Sequence, residues 1–305
     1  MKRAEFLTPV VTAFDAEGNI DVKANQAIYD FLLAGGIDGI VILGSTGEFF
    51  SMSMAQKKEL VRVAMNYLKD RTKVYVGTTS MNVKETIELS NYALEHGADG
   101  VMIISPYYFT LSDRSVEYFY DQVAEAIDGG IYLYNFPART GHDLSPEVTL
   151  NLLRKHSNIK GYKDTVTDFA HTRKLLQTVG EEFPDFKIYS GFDEFFAHNV
   201  LSGGNGCIGG LSNIYPGVFA RWVEAINRKD LTKVAEIQRI VDQLSRLYDF
   251  GTPFVPILKQ AMILKGLPLK GFCQKPILEP DERTIERIQS LLQKIDEQTD
   301  KFLIE

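Results

Sequence analysis

The sequence is poor in cysteine and has no long apolar run, and each scarcity excludes a class of protein. Its two cysteines, Cys207 and Cys273, form no CxxC motif and cannot crosslink a chain of 305 residues. Cys207 lies in the apolar run CIGG, which predicts a small buried residue. We find neither a membrane span nor a signal peptide. We therefore expect a cytoplasmic protein that keeps its thiols reduced and does not enter a membrane.

Clustered positive charge and clustered metal ligands are missing too. The chain has 33 basic and 40 acidic residues, a net charge of −7, and its basic residues are scattered. Such a protein has no electrostatic reason to bind nucleic acid or an anionic membrane. The five histidines stand at 96, 142, 156, 171 and 198, without HxH or HExxH spacing. We predict that they are structural and that no metal is bound.

A repeated pattern of helix, glycine turn and strand is present instead. The segments GIDG, GADG and GGNG begin at Gly36, Gly97 and Gly203. Each follows an amphipathic stretch and precedes a short apolar run, which is typical of a strand buried on both faces. Glycine is expected to end each helix, and Asp or Asn to make the turn.

The spacing of this pattern predicts the fold. The three segments are 61 and 106 residues apart, or two and four βα units of roughly 30 residues. Five more strand candidates fill the gaps: TPVVTAF, KVYVGTT, GIYLYNF, NIKGYK and FKIYSGF. Eight strands alternating with helices predict an α/β fold, a (β/α)8 TIM barrel. We assign residues 1–225 to the barrel and residues 226–305 to a C-terminal helical extension.

Polar residues follow most of the predicted strands, at the end where such barrels hold their active sites. Lys73 precedes its strand and is predicted to be a solvated surface charge, whereas Lys163 lies at the opposite end of its own strand. A lysine buried among apolar and hydroxyl groups loses its proton easily and can form a Schiff base with a carbonyl. The alternative is a lysine paired with Asp164.

Two further strand ends carry groups that could bind a ligand or transfer a proton. The segment GSTGE, residues 44–48, offers hydroxyls and backbone N–H groups that suit a carboxylate, although an ordinary βα turn has the same look. Tyr134 offers a phenol that can move protons, or it is a core tyrosine.

In this order and spacing, GSTGE, PYY, YNFPARTG and GYKDT resemble the dihydrodipicolinate synthase / N-acetylneuraminate lyase family of pyruvate-dependent class I aldolases. The resemblance covers nearly the whole chain. It implies catalytic roles for Lys163 (Schiff base), Tyr134 (proton relay), Tyr108 (lent to a neighbouring subunit) and Thr46, and pyruvate contacts for Ser45, Thr46 and Ile208. It also implies a homotetramer built as a dimer of dimers, with no metal and no organic cofactor.

The choice of second substrate divides the family. Arg139 resembles the arginine with which synthases bind the carboxylate of aspartate semialdehyde. Asp193 and Glu194 resemble the acidic pair that sialate lyases use for sugar hydroxyls; Thr165 matches another of their substrate contacts, whereas Gly210 replaces their strand-eight serine. The segments YNFPA and TPFVPILKQAMILKG resemble 2-keto-3-deoxy sugar-acid aldolases.

We therefore favour reversible cleavage of a 2-keto-3-deoxy sugar acid to pyruvate and an aldehyde. The alternatives within the family are 4-hydroxy-tetrahydrodipicolinate synthase and N-acetylneuraminate lyase. Outside it, the GxGxxG match of GNGCIG, residues 204–209, has a helix before it and a strand within it, which argues against dinucleotide binding. Dispersed histidines argue against a metal-dependent aldolase. The presence of both Lys163 and Tyr134 argues against a non-catalytic protein on this fold.

Overall fold

Eight parallel strands form a closed barrel in the computed structural model, which describes residues 2–303. Strands adjacent in sequence are adjacent in the barrel, and the eighth pairs with the first. The prediction of a (β/α)8 TIM barrel is confirmed. The strands are β1 (Glu5–Pro9), β2 (Gly39–Ile42), β3 (Lys73–Gly77), β4 (Gly100–Ile104), β5 (Ile131–Asn135), β6 (Ile159–Asp164), β7 (Lys187–Ser190) and β8 (Gly206–Ile208).

Helices cover the barrel and continue past its last strand. They are α1 (Val22–Ala34), α2 (Met54–Leu68), α3 (Val83–Glu95), α4 (Asp113–Ala126), α5 (Pro137–Thr140), α6 (Pro146–Lys155), α7 (Phe169–Gly180), α8 (Phe196–Leu201), α9 (Pro216–Asn227), α10 (Leu231–Leu244), α11 (Val255–Leu264) and α12 (Glu282–Leu303). Within residues 2–303, every helix is too short or too polar to cross a membrane.

The C-terminal region is largely helical, as the sequence predicts, but the boundary between barrel and extension is not sharp. The predicted division at 225/226 falls inside α9, which packs on β1. Met1, Ile304 and Glu305, which the two predicted ranges include, lie outside the described residues. The division therefore stays an interpretation.

The repeated glycine turns have the conformation that their sequence predicts, and their acidic or amide residues do more than turn the chain. Gly36, Gly97 and Gly203 have φ of +81°, +94° and +101°, a region that glycine enters without strain. The side-chain oxygens that follow them accept hydrogen bonds from backbone N–H groups of neighbouring strands: Asp38 from Phe6 (2.9 Å), Asp99 from Val74 (2.7 Å) and Asn205 from Ile188 (3.1 Å). Each repeat therefore also fixes the start of the strand beside it.

The first strand lies earlier than the run TPVVTAF predicts. It spans Glu5–Pro9, and the following residues form a buried loop. The N–H groups of Val11 and Ala13 donate to side-chain oxygens of Asn213 (3.2 Å) and Asn25 (3.1 Å). Because these side chains satisfy the backbone, the apolar run needs no neighbouring strand.

A buried carboxylate closes the N-terminal end of the barrel. Glu5 Oε2 accepts a hydrogen bond from Lys73 Nζ (2.7 Å), and Oε1 accepts from Lys187 Nζ (2.7 Å) and Tyr189 Oη (2.5 Å). Burial raises the pKa of Glu5, but the hydrogen bonds from these donors lower it by more, so that the pKa is about 2. Lys73 lies at the surface, as predicted, but it is more than a solvated charge, because its amine pairs with Glu5.

Candidate active site

A cavity of about 410 Å³ opens at the C-terminal end of the barrel. Strand ends form one side, and the segment between α10 and α11 forms the other. The predicted site residues that line it are Ser45, Thr46, Tyr134, Arg139, Lys163, Thr165, Glu194 and Ile208. The barrel thus brings together residues that are up to 163 positions apart.

Lys163 lies on β6 with only 7% of its surface exposed. Its register partner on β5 is Tyr134, and Lys163 Nζ lies 4.3 Å from the centroid of the Tyr134 ring. Within the described residues, Lys163 has neither an ion-pair nor a hydrogen-bond partner. An amine held in a cavity without a carboxylate partner is available to a substrate carbonyl.

Asp164 does not pair with Lys163, so the alternative interpretation is wrong. Successive residues of a strand point to opposite faces, and Asp164 faces away from the barrel axis. Its carboxylate accepts hydrogen bonds from Thr172 Oγ1 (2.6 Å), His171 Nδ1 (2.9 Å) and Asn135 Nδ2 (3.2 Å). His171 Nε2 lies 3.1 Å from Asp143 Oδ2. This network holds the strand end that presents Lys163.

The segment GSTGE forms a tight turn after β2. Residues Ser45–Gly47 make one turn of 3-10 helix, and Gly47 N–H donates to the Gly44 carbonyl at 3.0 Å. The first N–H groups of such a turn have no acceptor within it, an arrangement that suits an anion. The Thr12 hydroxyl donates to the Gly47 carbonyl at 3.0 Å and holds the turn against the loop after β1.

An aromatic stack connects Tyr134 to the cavity mouth. The Tyr134 ring stacks on Phe136, with centroids 6.2 Å apart and an interplanar angle of 23°. The Arg139 guanidinium lies over the other ring of this pair, 5.6 Å from the Phe136 centroid. Arg139 is exposed on the short helix α5, so its positive charge lies at the cavity mouth, next to the Tyr134–Phe136 stack.

The structure separates the predicted acidic pair. Asp193 is fully buried behind the cavity wall, where it accepts from Tyr248 Oη (2.7 Å) and Leu211 N–H (3.0 Å). Burial raises the pKa of Asp193 to about 7. Glu194 lines the cavity, and burial followed by the carboxylates of Asp242 and Asp249 raises its pKa. Of the two, Glu194 is placed to meet a substrate.

Two buried oxygens in this cavity lack a partner within the described residues. They are Thr165 Oγ1, whose residue is 4% exposed, and Glu194 Oε2. A buried polar atom without a hydrogen bond costs free energy, which a ligand hydroxyl could recover. The cavity is therefore suited to a hydroxylated ligand.

Sequence reasoning missed the wall that the C-terminal extension supplies. Its polar members are Asp242, Ser245, Arg246, Tyr248, Asp249 and Thr252. Their helical spacing gave no sign of a site, because only the folded chain brings them over the barrel. The hydrogen bond from Tyr248 to Asp193, 55 residues away along the chain, joins the two walls.

Tyr108 lies outside the cavity, in the loop between β4 and α4. Its side chain is 80% exposed, and its ring meets Phe109 with centroids 4.9 Å apart. Phe50 and Met81 are also exposed nearby: Phe50 packs on Phe49, Phe49 on Tyr107, and Tyr107 N–H donates to Met81 Sδ. We call Phe50, Met81, Tyr108 and Phe109 the aromatic patch.

No metal site accompanies this geometry in the part of the chain that the structure describes. There, no three His, Cys, Asp or Glu side chains converge as a metal ion would require. Among the histidines, His142 Nε2 lies 2.8 Å from Ser105 Oγ, and His156 Nε2 lies 2.8 Å from Asp121 Oδ1. Both histidines thus contact side chains of the surrounding structure.

Residues 2–295 match the model of the dihydrodipicolinate synthetase family. The chain belongs to this family. YagE of Escherichia coli, provisionally named a 2-dehydro-3-deoxy-D-gluconate aldolase, is 36% identical over 289 residues, which cover 95% of this chain and 96% of YagE. Its crystal structure in complex with pyruvate superposes with a TM-score of 0.93, at 35% identity, and covers 97% of this chain and 99% of that one.

Two other relatives are named for the two candidate reactions, aldol cleavage of a sugar acid and the synthase reaction. YjhH of Escherichia coli, provisionally named a 2-dehydro-3-deoxy-D-pentonate aldolase, is 35% identical over 95% of this chain and 97% of its own length. A 4-hydroxy-tetrahydrodipicolinate synthase of Kosmotoga olearia is 33% identical over 93% of this chain and 95% of its own. The resemblance to this family, and to its sugar-acid aldolase-like members, is confirmed. The chain is a lyase of the class I aldolase type.

Proposed function

We propose that this protein reversibly cleaves a 2-keto-3-deoxy sugar acid to pyruvate and an aldehyde, through a Schiff base on Lys163. The observation that carries the proposal is the placement of Lys163: buried in the cavity, without a carboxylate partner, and beside the Tyr134 ring. The likeness to YagE and YjhH, both named for aldol cleavage of such acids, supports the same reaction.

In the first half of the reaction, the Lys163 amine attacks the C2 carbonyl of the keto acid and expels its oxygen as water. The resulting iminium draws the electron pair of the C3–C4 bond, which breaks to leave an enamine on Lys163. The C4 hydroxyl loses its proton and becomes the carbonyl of the departing aldehyde. We assign the transfer of this proton to the phenol of Tyr134.

In the second half, the enamine takes a proton at C3, and water hydrolyses the iminium to pyruvate and the free amine. The keto-acid carboxylate binds at the turn of Ser45 and Thr46, and Ile208 closes the cavity from β8. All atoms balance without a metal or an organic cofactor. The reverse sequence condenses pyruvate with an aldehyde.

The polarity of the cavity supports a polyhydroxy aldehyde. Glu194, Asp242 and Asp249 line it, and carboxylates accept hydrogen bonds from hydroxyl groups. The partnerless Thr165 hydroxyl can complete one more such contact. A sialic acid is less well supported, because a Cβ at position 210 would lie 2.8 Å from Tyr248 Oη. Tyr248 takes the space that the serine of sialate lyases would need.

The second candidate is 4-hydroxy-tetrahydrodipicolinate synthase, and Arg139 is the observation that favours it. Its guanidinium lines the cavity mouth and suits the carboxylate of aspartate semialdehyde. Arg246 also lines the cavity, so the cavity's cations offset the three carboxylates, and we rank the synthase second on the stronger likeness to YagE and YjhH.

The aromatic patch supports a partner chain, and we propose the homotetramer of the family with Tyr108 reaching a neighbouring active site. Exposed aromatic side chains in contact with one another are typical of protein interfaces. Cys207 and Cys273 are both free thiols, which suits the reducing cytoplasm that the sequence predicts.

Borohydride reduction in the presence of pyruvate tests the proposal. The protein should gain one reduced three-carbon adduct, located by peptide mass analysis on Lys163. Lys163→Arg keeps the charge without the nucleophile and should gain none, and Lys73→Arg serves as the matched control that still reacts. An adduct on another lysine, or none on the unmodified sequence, overturns the mechanism.

A further inference from the structure

A buried ion pair joins the keto-acid turn to the C-terminal extension. Glu48, which directly follows the Ser45–Gly47 turn, extends its side chain away from the cavity. Glu48 Oε1 lies 2.5 Å from Lys259 Nζ on α11, and both side chains are 0% exposed. The mechanism above uses neither residue, so this buried pair requires another explanation.

The partners of this pair come from several segments of the C-terminal region. Glu48 Oε2 accepts from Gln274 N–H (2.7 Å), and Lys259 Nζ donates to the Phe272 carbonyl (2.7 Å). The same ammonium lies 4.8 Å from the centroid of the Phe14 ring. Every contact is charge-assisted or made to a charged group, and such contacts are the stronger ones inside a protein. The geometry of Glu48 is therefore fixed from outside the barrel.

The backbone of Glu48 indicates that its side chain is needed where it is. It has φ +62° and ψ +32°, a left-handed conformation that residues with a Cβ rarely adopt. Glycine would relieve this strain, but glycine has no carboxylate for Lys259. Strain of this kind persists only where the surrounding structure enforces it, and it clusters at functional sites.

Glu48 is also connected directly to the residues proposed to bind the carboxylate. Its N–H donates to the Ser45 carbonyl at 3.3 Å, and Thr46 lies two positions before it. A shift of Glu48 therefore displaces the N–H and hydroxyl groups of the turn. The Thr12 hydrogen bond to the Gly47 carbonyl holds the turn from one side only.

We propose that Glu48 and Lys259 are positioning residues, through which the C-terminal extension holds the Ser45–Gly47 turn in the geometry that binds the keto acid. This inference rests on the proposed function, because it gives the turn the substrate carboxylate as its ligand. It assigns the extension a part in pyruvate binding that is separate from its contribution to the cavity wall.

Lys259→Met tests the inference, with Lys265→Met as its matched control. Lys265 follows the same helix and pairs with Asp296 of α12 at 2.7 Å, without contact to the turn. A displacement of about 1 Å in a group that positions a substrate can lower catalytic efficiency by roughly 10²-fold. We expect Lys259→Met to raise the pyruvate concentration for half-maximal borohydride trapping by roughly 10- to 10²-fold. Lys265→Met should leave it within about twofold.

The split between KM and kcat separates positioning from a loss of chemistry. The turn binds a carboxylate that is present in substrate and transition state alike, so KM should rise while kcat changes little. An unchanged KM and an unchanged trapping curve in a folded Lys259→Met protein would overturn the inference.

A double variant separates positioning from stability. Glu48→Gln with Lys259→Met removes both charges, so neither is left buried alone, and thermal stability should recover relative to Lys259→Met. Pyruvate affinity should stay weak, because the hydrogen bond from Lys259 is still absent. If affinity recovers together with stability, the pair is only structural. The double variant also carries the test if Lys259→Met fails to fold.

Hydrogen exchange gives a reading that does not depend on the reaction. Amides of residues 44–48 should exchange faster in Lys259→Met than in Lys265→Met, without any ligand present. If the unmodified protein traps no pyruvate while this difference is seen, the proposed function fails and the positioning role stands. If it traps pyruvate and exchange is equal in both variants, the positioning role alone fails.

Discussion

At the scale of single residues, the candidate site contrasts an unpaired amine with a paired carboxylate at the next position of the same strand. Lys163 has no carboxylate partner in the described part of the chain, whereas Asp164 beside it accepts three hydrogen bonds. This contrast arises from the alternation of a strand, which turns adjacent residues to opposite faces. A shift of one position would place the Asp164 carboxylate in the cavity instead of the Lys163 amine.

Tyr134→Phe should lower turnover by roughly 10²–10⁴-fold, the usual contribution of a positioned general acid–base group. The ring and its stacking on Phe136 remain, so folding and the trapping of pyruvate at equilibrium should change little. Steady-state cleavage of 2-keto-3-deoxygluconate measures the loss. Tyr132→Phe, two positions earlier on β5 and outside the cavity lining, is the control. A loss smaller than about tenfold would assign the proton transfer to another group.

Glu194 and Arg139 should separate the two candidate reactions. Glu194→Gln should weaken cleavage of 2-keto-3-deoxygluconate, because an accepting oxygen near the substrate hydroxyls is lost. Arg139→Ala should matter less for that substrate. For condensation with aspartate semialdehyde, it should lower the specificity constant by the equivalent of about 2 kcal/mol. Specificity constants for both reactions, measured on one preparation, provide the comparison. If the specificity constant for condensation far exceeds that for cleavage, the protein is a synthase. The Schiff-base role proposed for Lys163 would hold in either case.

At the scale of elements, strand β6 and helix α7 are joined by a His–Asp network directly behind Lys163. Burial lowers the pKa of His171, but its contacts to Asp143 and Asp164 more than compensate and raise it to about 10. The protonated imidazole thus stands between two carboxylates, 2.9 Å from one and 3.1 Å from the other. We expect this charge to stabilise the end of β6.

His171→Gln should therefore destabilise the protein in a pH-dependent way. Because the folded pKa of about 10 is above the ordinary value of 6.5, the contribution is complete below pH 6.5 and disappears as pH rises towards 10. We expect a loss of about 2 kcal/mol near pH 6, after allowance for solvent screening. Urea unfolding at several pH values measures it.

The control for this experiment is His156→Gln, which removes a His–Asp contact of 2.8 Å at the barrel's outer surface. If the stability difference between His171→Gln and the unmodified protein stays constant from pH 6.5 to 10, the charge on His171 does not hold this element.

At the scale of the whole molecule, the active site is divided between the barrel and the C-terminal helices. Strand ends line one side of the cavity, and the segment from Asp242 to Phe254 provides the opposite wall. The Glu48–Lys259 pair connects the same two parts outside the cavity. The extension therefore cannot be removed without changing the site.

Tyr108, in the aromatic patch, allows a test of the proposed subunit assembly. If Tyr108 acts in a neighbouring chain, co-expressed Tyr108→Phe and Lys163→Arg subunits should form sites with Lys163 from one chain and Tyr108 from the other. Activity should then exceed that of either variant alone. Activity equal to the average of the two parents would place Tyr108 outside the neighbouring site.

A substitution in the patch provides the companion measurement. Phe109→Arg places a charge on a surface that is 73% exposed in one chain and should block its burial by a partner. Sedimentation should show smaller species, with activity reduced in parallel. A fully active monomer would leave the patch without a role in catalysis.

The sequence by itself determined the barrel and most of the groups that line its cavity. Glycine turns such as Gly36-Ile37-Asp38-Gly39, repeated before apolar runs, set the period of the units, because the left-handed glycine and the adjacent Asp encode local geometry. Residues at the ends of strands then share one face of the barrel by topology alone. Lys163, Tyr134 and the Ser45–Gly47 turn were therefore predictable from their positions.

Only the tertiary structure decided which neighbours each of these groups has. The hydrogen bond from Tyr248 to Asp193 joins segments that are 55 residues apart, and the pairing of Glu48 with Lys259 joins segments that are 211 residues apart. No local pattern encodes such contacts, since each depends on how the C-terminal helices pack over the barrel. The physical reason is burial: a carboxylate withdrawn from water must find a partner, and packing determines which one.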